Sequence, residues 1–319
     1  MKRRRTVTLP AGLRPEDLPE WMRSSQKETD FLWLTVLLLA FALNTPLWLQ
    51  DGVPATPDIQ QQIVRTLEMS HSLQNGVIYP RWAADFNSGY GSPLWNYLPP
   101  LPHWLAGFYH ALVQSDPATA VKAVTTLAIV MGVVALFAFA RRRWGTCAGL
   151  LAALSYGLCP AVVWDVPLVT GRVGTLLAVG VFFSALWSYD ALMTTGHQRD
   201  LVLATLFTTA LWLSHAPLNI WLALVLLGWV AWNRWSGAYA APAARRATLA
   251  WLLGLLLSSF YLVPAVLEYN LIRWQAATAW PLADWRPLPL TTLLAPPSRP
   301  DLSAANPPVS NAIGMAGWV

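Results

Sequence analysis

The chain has 319 residues, of which 55% are hydrophobic and only 12% are charged, with a mean hydropathy of +0.41. Soluble domains carry about 25% charged residues, so the composition excludes a soluble protein and indicates an integral membrane protein. The net charge of +5 is too small to predict a nucleic-acid partner, and we expect none.

Seven segments of the chain are candidates for transmembrane helices. Residues 1–30 are polar and basic, and we expect them in the cytoplasm. A spanning helix needs about 20 mainly apolar residues, and no cleavable signal peptide is apparent before the first such run. The fifth and sixth candidates are short and separated only by "SHAP", so one kinked unit that enters and leaves on the same side is the alternative. The predicted spans are 31–49, 121–140, 146–163, 173–189, 201–215, 217–232 and 248–267.

The distribution of basic residues predicts the orientation of the chain. Cytoplasmic loops carry an excess of Lys and Arg, and a cytoplasmic N-terminus with alternating spans places the arginines at 141–143 and 245–246 inside. We therefore expect an all-α, multi-pass protein whose membrane domain covers residues 31–267. A large first extracytoplasmic loop would cover 50–117, and a Pro-rich outer tail, which we expect to be incomplete, would cover 268–319.

Two helices are predicted in the first outer loop. Residues 59–73, "IQQQIVRTLEMSHSL", carry Ile59, Ile63 and Leu67 on one stripe, which suits a helix lying along the membrane. Residues 98–112, "LPPLPHWLAGFYHAL", are too short for a span and carry two histidines, so an interfacial helix is predicted.

Six ionisable residues are predicted to lie on the outer side, at or near the ends of spans. Such groups are costly unless they are paired, hydrated or functional, and their position on one face favours a functional site. Four of them also have a structural alternative: Asp58 as a helix cap, Arg172 as an interface marker, His215 as a helix terminator and Glu268 as an ordinary helix end. The six are Asp58, Arg81, Asp85, Arg172, His215 and Glu268.

The stretch 75–105, "NGVIYPRWAADFNSGYGSPLWNYLPPLPHWL", is too polar and too rich in Pro and Gly to cross a bilayer. Glycines in "SGYGSP", 88–93, permit positive φ and a close approach of the backbone to a ligand. Tyr90 and the neighbouring Trp and Tyr residues offer flat faces that either stack on sugar rings or form an interfacial belt.

This stretch, with the preceding span and the Asp on an amphipathic helix, resembles the bacterial membrane proteins that share a 6-pyruvoyl-tetrahydropterin synthase-related domain. Nothing in the sequence suggests pterin chemistry. These proteins are in turn similar to the GT-C superfamily of membrane glycosyltransferases, and "YLPPLPHWL" resembles the "PPLGK" segment of the protein O-mannosyltransferases. The resemblance covers about residues 31–270, and Gln62 stands where the family usually has a His.

The resemblance implies a transferase in the plasma membrane of a bacterium. Its donor would be a sugar linked to polyprenyl phosphate, and its acceptor a glycan or a protein. Asp58 would be the general base or, together with Asp85, a ligand for a divalent cation such as Mg²⁺ or Mn²⁺. Arg81 and Arg172 would bind the donor phosphate. The site would be completed by Asp85, Tyr90, His215 and Glu268.

Two other functions are compatible with the same residues. A non-enzymatic component that binds or exports lipid-linked sugars would use the pocket for binding alone. A truncated relative would keep these residues without the activity.

Overall fold

The computed structural model of the chain describes residues 26–54, 57–238, 241–271, 289–293 and 295–296. Within these ranges the regular structure is helical, and the β-pairing is confined to an isolated antiparallel bridge between Ala83 and Ser92. The all-α class predicted from the sequence is therefore confirmed.

The longer helices follow one another with short connections. In chain order they are α1 (Gln26–Ala42), α2 (Pro57–Gln74), α3 (Leu101–Val113), α4 (Pro117–Trp144), α5 (Thr146–Gly157), a π-helix (Ala161–Thr170), α6 (Val173–Thr195), α7 (Gln198–Trp212), α8 (Ala216–Trp235), α9 (Ala241–Leu257) and α10 (Ser259–Leu267). Shorter helical turns cover Thr45–Trp48, Asn87–Gly89, Leu94–Tyr97, Tyr269–Leu271 and Leu290–Leu293.

Three helical segments of the described chain are long and apolar enough to cross a membrane. They are α4, α6 and the segment Thr146–Thr170, which α5 and the π-helix form together. Helices α9 and α10 add a fourth if they count as one span, although they meet at an angle of 64°. The membrane class is supported, but the described helices give three or four spans and do not establish the predicted seven.

The first predicted span, 31–49, is interrupted in the structure. Helix α1 ends at Ala42, and the short helix Thr45–Trp48 follows with a proline in its first turn. Between them the buried amide Nδ2 of Asn44 donates to the carbonyl of Ala40 at 2.8 Å. A polar side chain that bonds to the backbone and a proline both end a helix, so the uninterrupted part of this apolar segment is shorter than expected.

Helices α4 and α6 form the centre of the bundle. A Cβ added to Gly180 of α6 would lie only 2.7 Å from the carbonyl oxygen of Ala128 on α4, so the two backbones are in close contact there. Helix α1 packs on the other side of α4, where the rings of Trp33 and Phe137 meet edge to face at 4.8 Å. The contact between Gly180 and Ala128 is typical of helix pairs in membranes, where small residues let two backbones approach closely.

One end of the bundle is held by a buried carboxylate. The carboxylate of Asp190, near the end of α6, forms ion pairs with Nε of Arg142 at 2.8 Å and with Nη1 of Arg143 at 3.1 Å. Arg143 also donates a hydrogen bond to Oδ1 of Asn233 on α8. Because an α-helix rises about 1.5 Å per residue, Asp190 and Arg172, which precedes the first residue of α6, lie about 27 Å apart along the helix axis. The predicted separation of the arginines at 141–143 from Arg172 is thus confirmed.

The two helices expected in the first outer loop are present, as α2 and α3. They pack against each other, and a Cβ added to Gly107 of α3 would lie 2.8 Å from Cγ of Met69 on α2. Their contact builds a compact layer on the end of the bundle that lies opposite Asp190, and the candidate site is found there.

Candidate functional site

Asp58 and Arg172 form an ion pair at the bundle end opposite Asp190. Asp58 lies in the first turn of α2, and Arg172 directly precedes α6. Nε of Arg172 donates to Oδ2 of Asp58 at 3.2 Å, across a sequence separation of 114 residues. The two side chains are 50% and 42% exposed, so a ligand can reach both. Asp58 is therefore more than a helix cap, because it also has a tertiary partner.

His215 lies next to this pair, in the break between α7 and α8. Its Nδ1 accepts a hydrogen bond from the N–H of Leu218 at 3.3 Å, so it begins α8 rather than ending α7. A Cβ added to Gly174 would be 3.6 Å from Cδ2 of His215, which shows that the start of α6 lies against the break. Burial, and secondly the charge of Arg172, lowers the pKa of His215. The site thus contains a carboxylate, a guanidinium and a neutral imidazole.

A second polar group, the loop clamp (Arg81, Asn96 and Glu268), joins the loop before α3 to the end of α10. Nη2 of Arg81 donates to Oε1 of Glu268 at 2.5 Å, and Nε of Arg81 donates to Oδ1 of Asn96 at 2.8 Å. Nδ2 of Asn96 donates to Oε2 of Glu268 at 2.9 Å, and the hydroxyl of Tyr97 donates to the carbonyl of Glu268 at 2.9 Å. The structure thus brings the predicted residues Arg81 and Glu268 together as a pair.

Most aromatic rings of this loop serve packing. Trp95 is completely buried, and Trp104 stacks on Phe260 of α10 with a centroid distance of 5.7 Å. The indole N–H of Trp104 donates to the carbonyl of Ile78 at 2.9 Å. The hydroxyl of Tyr79 donates to the carbonyl of Trp95 at 3.0 Å, and burial raises the pKa of Tyr79 to about 12. Tyr79 and Trp104 thus fix the loop to Phe260 of α10, and Trp95 lies buried against His103.

Tyr90 and Trp82 differ from these rings, because the two residues are 87% and 54% exposed, and Tyr90 lies at the tip of the loop. The tip is closed by the bridge between Ala83 and Ser92, whose two N–H groups donate to the opposite carbonyls at 2.8 and 2.9 Å. Gly91 has φ +77°, and a Cβ there would lie 1.9 Å from Nε1 of Trp82. The predicted close approach at a glycine is therefore real, but its partner is the chain's own tryptophan.

Asp85 and Asp58 have different partners in the structure. Its Oδ2 is 3.3 Å from Nδ1 of His71, and the two side chains are 67% and 61% exposed. The buried carboxylate of Glu68, which the sequence analysis missed, accepts the N–H groups of Ala84 at 2.7 Å and of Asp85 at 3.3 Å.

The side chains suited to a divalent cation do not converge in the described part of the chain. No group of three or more His, Cys, Asp or Glu residues there surrounds a common point. Asp58 pairs with Arg172 and Asp85 with His71. The cation expected at Asp58 and Asp85 stays a prediction.

Arg65 and His103 are further residues that the sequence analysis did not select. Arg65 lies on α2 two turns after Asp58, and its Nη2 donates to Oε1 of Gln61 at 2.7 Å. His103, near the start of α3, is only 3% exposed, and its ring centroid is 5.4 Å from that of Trp95. The seven-residue spacing from Asp58 to Arg65 on one helix face was a usable signal, whereas nothing in the sequence distinguishes His103 from His110.

Comparison with known proteins relates the chain to one family. No curated protein matches it. A family model described as a 6-pyruvoyl-tetrahydropterin synthase related domain of membrane proteins matches residues 95–308. This range contains Arg172, His215 and Glu268, while Asp58 and Arg81 precede it. Because the match covers more than half of the chain, the protein belongs to the family of membrane proteins with a 6-pyruvoyl-tetrahydropterin synthase related domain.

Proposed function

We propose that the chain is a membrane glycosyltransferase of GT-C type, which transfers a sugar from a polyprenyl-phosphate carrier to a glycan or protein acceptor. The observation that carries the proposal is the ion pair of Asp58 and Arg172, at 3.2 Å and half-exposed at one end of the bundle. Transfer from a lipid phosphate requires a group that accepts a proton and a group that neutralises the leaving phosphate. A carboxylate and a guanidinium supply these two functions.

In the proposed reaction, the acceptor hydroxyl oxygen forms a bond to the anomeric carbon of the donor sugar. The bond from that carbon to the phosphate oxygen breaks, and its electron pair stays with the phosphate, which leaves as polyprenyl phosphate. The hydroxyl proton passes to the carboxylate of Asp58. Arg172 neutralises the leaving phosphate through its planar fork of N–H groups. His215, as a neutral imidazole, supplies a hydrogen-bonding group to the sugar.

The other predicted residues are assigned supporting roles. In our proposal Arg81 and Glu268 position the loop through the loop clamp, and Tyr90 provides an exposed ring for a sugar or a lipid head group. Asp85 and a divalent cation remain secondary features of the proposal, and the lipid tail of the donor would lie between helices at the same bundle end.

The proposed setting is a bacterial plasma membrane, with seven spans, a cytoplasmic N-terminus and the Asp58 end outside. This orientation is supported by the charge difference between the two ends of α6, since the arginines at 141–143 gather at the Asp190 end.

The test is mass spectrometry of lipid-linked and surface glycans from cells with the wild-type gene, with a deletion, and with Asp58→Asn. We expect both the deletion and Asp58→Asn to lose one surface glycan and to accumulate its lipid-linked donor. Arg199→Gln, which removes an exposed arginine outside the site, is the matched control and should retain the glycan. A normal glycan profile in Asp58→Asn would contradict the transferase and favour a component that only binds or exports the lipid-linked sugar.

A further inference from the structure

The indole ring of Trp82 lies against the backbone of Gly91, where the bridge between Ala83 and Ser92 closes the loop before α3. A Cβ added to Gly91 would lie 1.9 Å from Nε1, 2.6 Å from Cε2 and 2.9 Å from Cδ1 of Trp82. One face of the five-membered ring of the indole therefore covers the glycine, whose φ is +77°. Trp82 is nevertheless 54% exposed, so the side of the ring that faces away from Gly91 is open to a ligand.

The backbone on which the ring of Trp82 rests is fixed by hydrogen bonds. The N–H of Ala83 donates to the carbonyl of Ser92 at 2.8 Å, and the N–H of Ser92 donates to the carbonyl of Ala83 at 2.9 Å. Nδ2 of Asn87 donates to the carbonyl of Gly91 at 2.9 Å. An aromatic ring that is already held in place loses little conformational freedom when a ligand binds, and this increases the affinity that its flat face provides.

Exposed polar side chains accompany Trp82 in this loop. Asp85 follows three residues later, and its Oδ2 lies 3.3 Å from Nδ1 of His71, with the two side chains 67% and 61% exposed. Three residues of extended chain span at most about 11 Å, so Trp82 and Asp85 can contact one ligand of that length. Tyr90, which precedes Gly91, is 87% exposed and carries a hydroxyl. Because charged groups are costly within a bilayer, these neighbours favour a ligand from the aqueous side over an anchor in lipid.

We propose that Trp82 binds a sugar ring of the acceptor, so that the acceptor is a glycan. This inference rests on the proposed function for the reaction, and it names the acceptor class that the proposed function leaves open. The C–H groups of a pyranose form an apolar face that contacts an aromatic ring, while the hydroxyl groups at its edge require hydrogen-bond partners. Trp82 supplies the flat face, and Asp85 and Tyr90 supply a carboxylate and a phenolic hydroxyl. A lipid-linked donor enters from the bilayer, so the ligand that reaches these exposed side chains from water is the acceptor.

The test measures binding of three neutral probes, cellotetraose, mannotetraose and galactotetraose, to the purified full chain in lipid nanodiscs by saturation-transfer NMR. We expect at least one probe to bind the wild type, and Trp82→Ala to weaken that binding about tenfold or more, as for loss of a central aromatic contact. Trp82→Phe, which keeps a smaller ring, should weaken it by a smaller factor. Trp235→Ala is the matched control and should bind like the wild type, because it removes an 86% exposed tryptophan at the end of α8. Absence of binding by all three probes, or equal affinity in Trp82→Ala and the wild type, would overturn the inference.

A second measurement locates the ring of Trp82 and does not depend on the folding of Trp82→Ala. Fluorine NMR of the chain labelled with fluorotryptophan identifies the Trp82 resonance by its loss in Trp82→Phe. A soluble gadolinium chelate should broaden this resonance, and lipids with a nitroxide on the acyl chain should leave it sharp. Broadening by the nitroxide lipids alone would make Trp82 a membrane anchor and would overturn the inference.

The failure of this inference is distinct from that of the proposed function. Binding of a probe that depends on Trp82, without any sugar transfer, would refute the transferase and leave Trp82 as a sugar-binding residue. Sugar transfer by Trp82→Ala with an unchanged KM for the acceptor would refute the role of Trp82 and leave the transferase. If both proposals are correct, Trp82→Ala raises the KM for the acceptor about tenfold and leaves kcat close to that of the wild type.

Discussion

Replacing Glu268 by Gln should loosen the loop clamp. The carboxylate accepts hydrogen bonds from Arg81 at 2.5 Å and from Asn96 at 2.9 Å, and the side chains of Arg81 and Glu268 are 52% and 32% exposed. An exposed ion pair contributes about 0.2–1 kcal/mol, and a hydrogen bond to a charged group about 1.5–3 kcal/mol. At this intermediate burial we expect a loss of about 1–2 kcal/mol, a factor of about 5–30 in the opening equilibrium of the loop.

Hydrogen exchange followed by mass spectrometry measures this opening directly. Amides of residues 79–97 in Glu268→Gln should exchange about 5–30 times faster than in the wild type, while those of α4 keep their rates. Asp85→Asn is the matched control, because its pair with His71 is 67% and 61% exposed and its loss should change the exchange by less than about threefold. Equal exchange in Glu268→Gln and the wild type would refute the clamp.

Two further predictions concern stability. Burial lowers the pKa of His103 from 6.5 to about 3, so the folded state binds fewer protons than the unfolded state, and stability should fall by about 1.4 kcal/mol per pH unit as the pH decreases below about 6.5. Thermal unfolding of His103→Gln between pH 7 and 5 should lack this decline, and an unchanged slope would contradict the assignment. Gly180→Ala, whose Cβ would lie 2.7 Å from the carbonyl oxygen of Ala128, should destabilise the bundle by about 1–3 kcal/mol. Gly228→Ala is the control, because no atom lies within 4 Å of the added Cβ. In the same thermal assay it should be neutral or should stabilise the protein by up to about 1 kcal/mol. Equal effects of the two changes would argue against close packing at Gly180.

The sequence predicted those features of the fold that follow from local patterns. Apolar residues at helical spacing in 59–73 predicted the helix that the structure shows as Pro57–Gln74. Alternation of the spans predicted that Asp58 and Arg172 lie at one end of the bundle, away from the arginines at 141–143. Their contact at 3.2 Å was beyond the sequence, because a hydrogen bond depends on where α2 lies on the bundle and not on any local pattern.

Bends in apolar segments were not predictable from composition. The segment 248–267 was expected as one span, but α9 and α10 meet at 64°. Between them the hydroxyl of the buried Ser258 donates to the carbonyl of Gly254 at 2.9 Å. A serine that bonds back to its own helix promotes a bend, yet serine changes the average hydropathy very little. Average hydropathy therefore predicts the length of the apolar segment but not the bend at Ser258.

The aromatic residues of the loop illustrate a second limit. From sequence alone, Trp95 and Tyr90 were equally good candidates for stacking on a sugar. In the structure Trp95 is completely buried, whereas Tyr90 is 87% exposed. The difference arises from tertiary packing, because Trp95 lies beneath the loop against His103. In an irregular loop no periodic pattern of apolar residues separates a buried ring from an exposed one.

The central claim is that the Asp58 end of the bundle transfers a sugar from a lipid phosphate. The most direct measurement is the initial rate of sugar transfer by the purified chain in liposomes, from a radiolabelled polyprenyl-phosphate sugar to acceptors in a membrane extract. We expect wild-type protein and Arg199→Gln to transfer at the same rate. Asp58→Asn should be slower by a factor of about 10²–10⁴, as for loss of a general base, while still binding the donor. Undiminished transfer by Asp58→Asn would contradict the account.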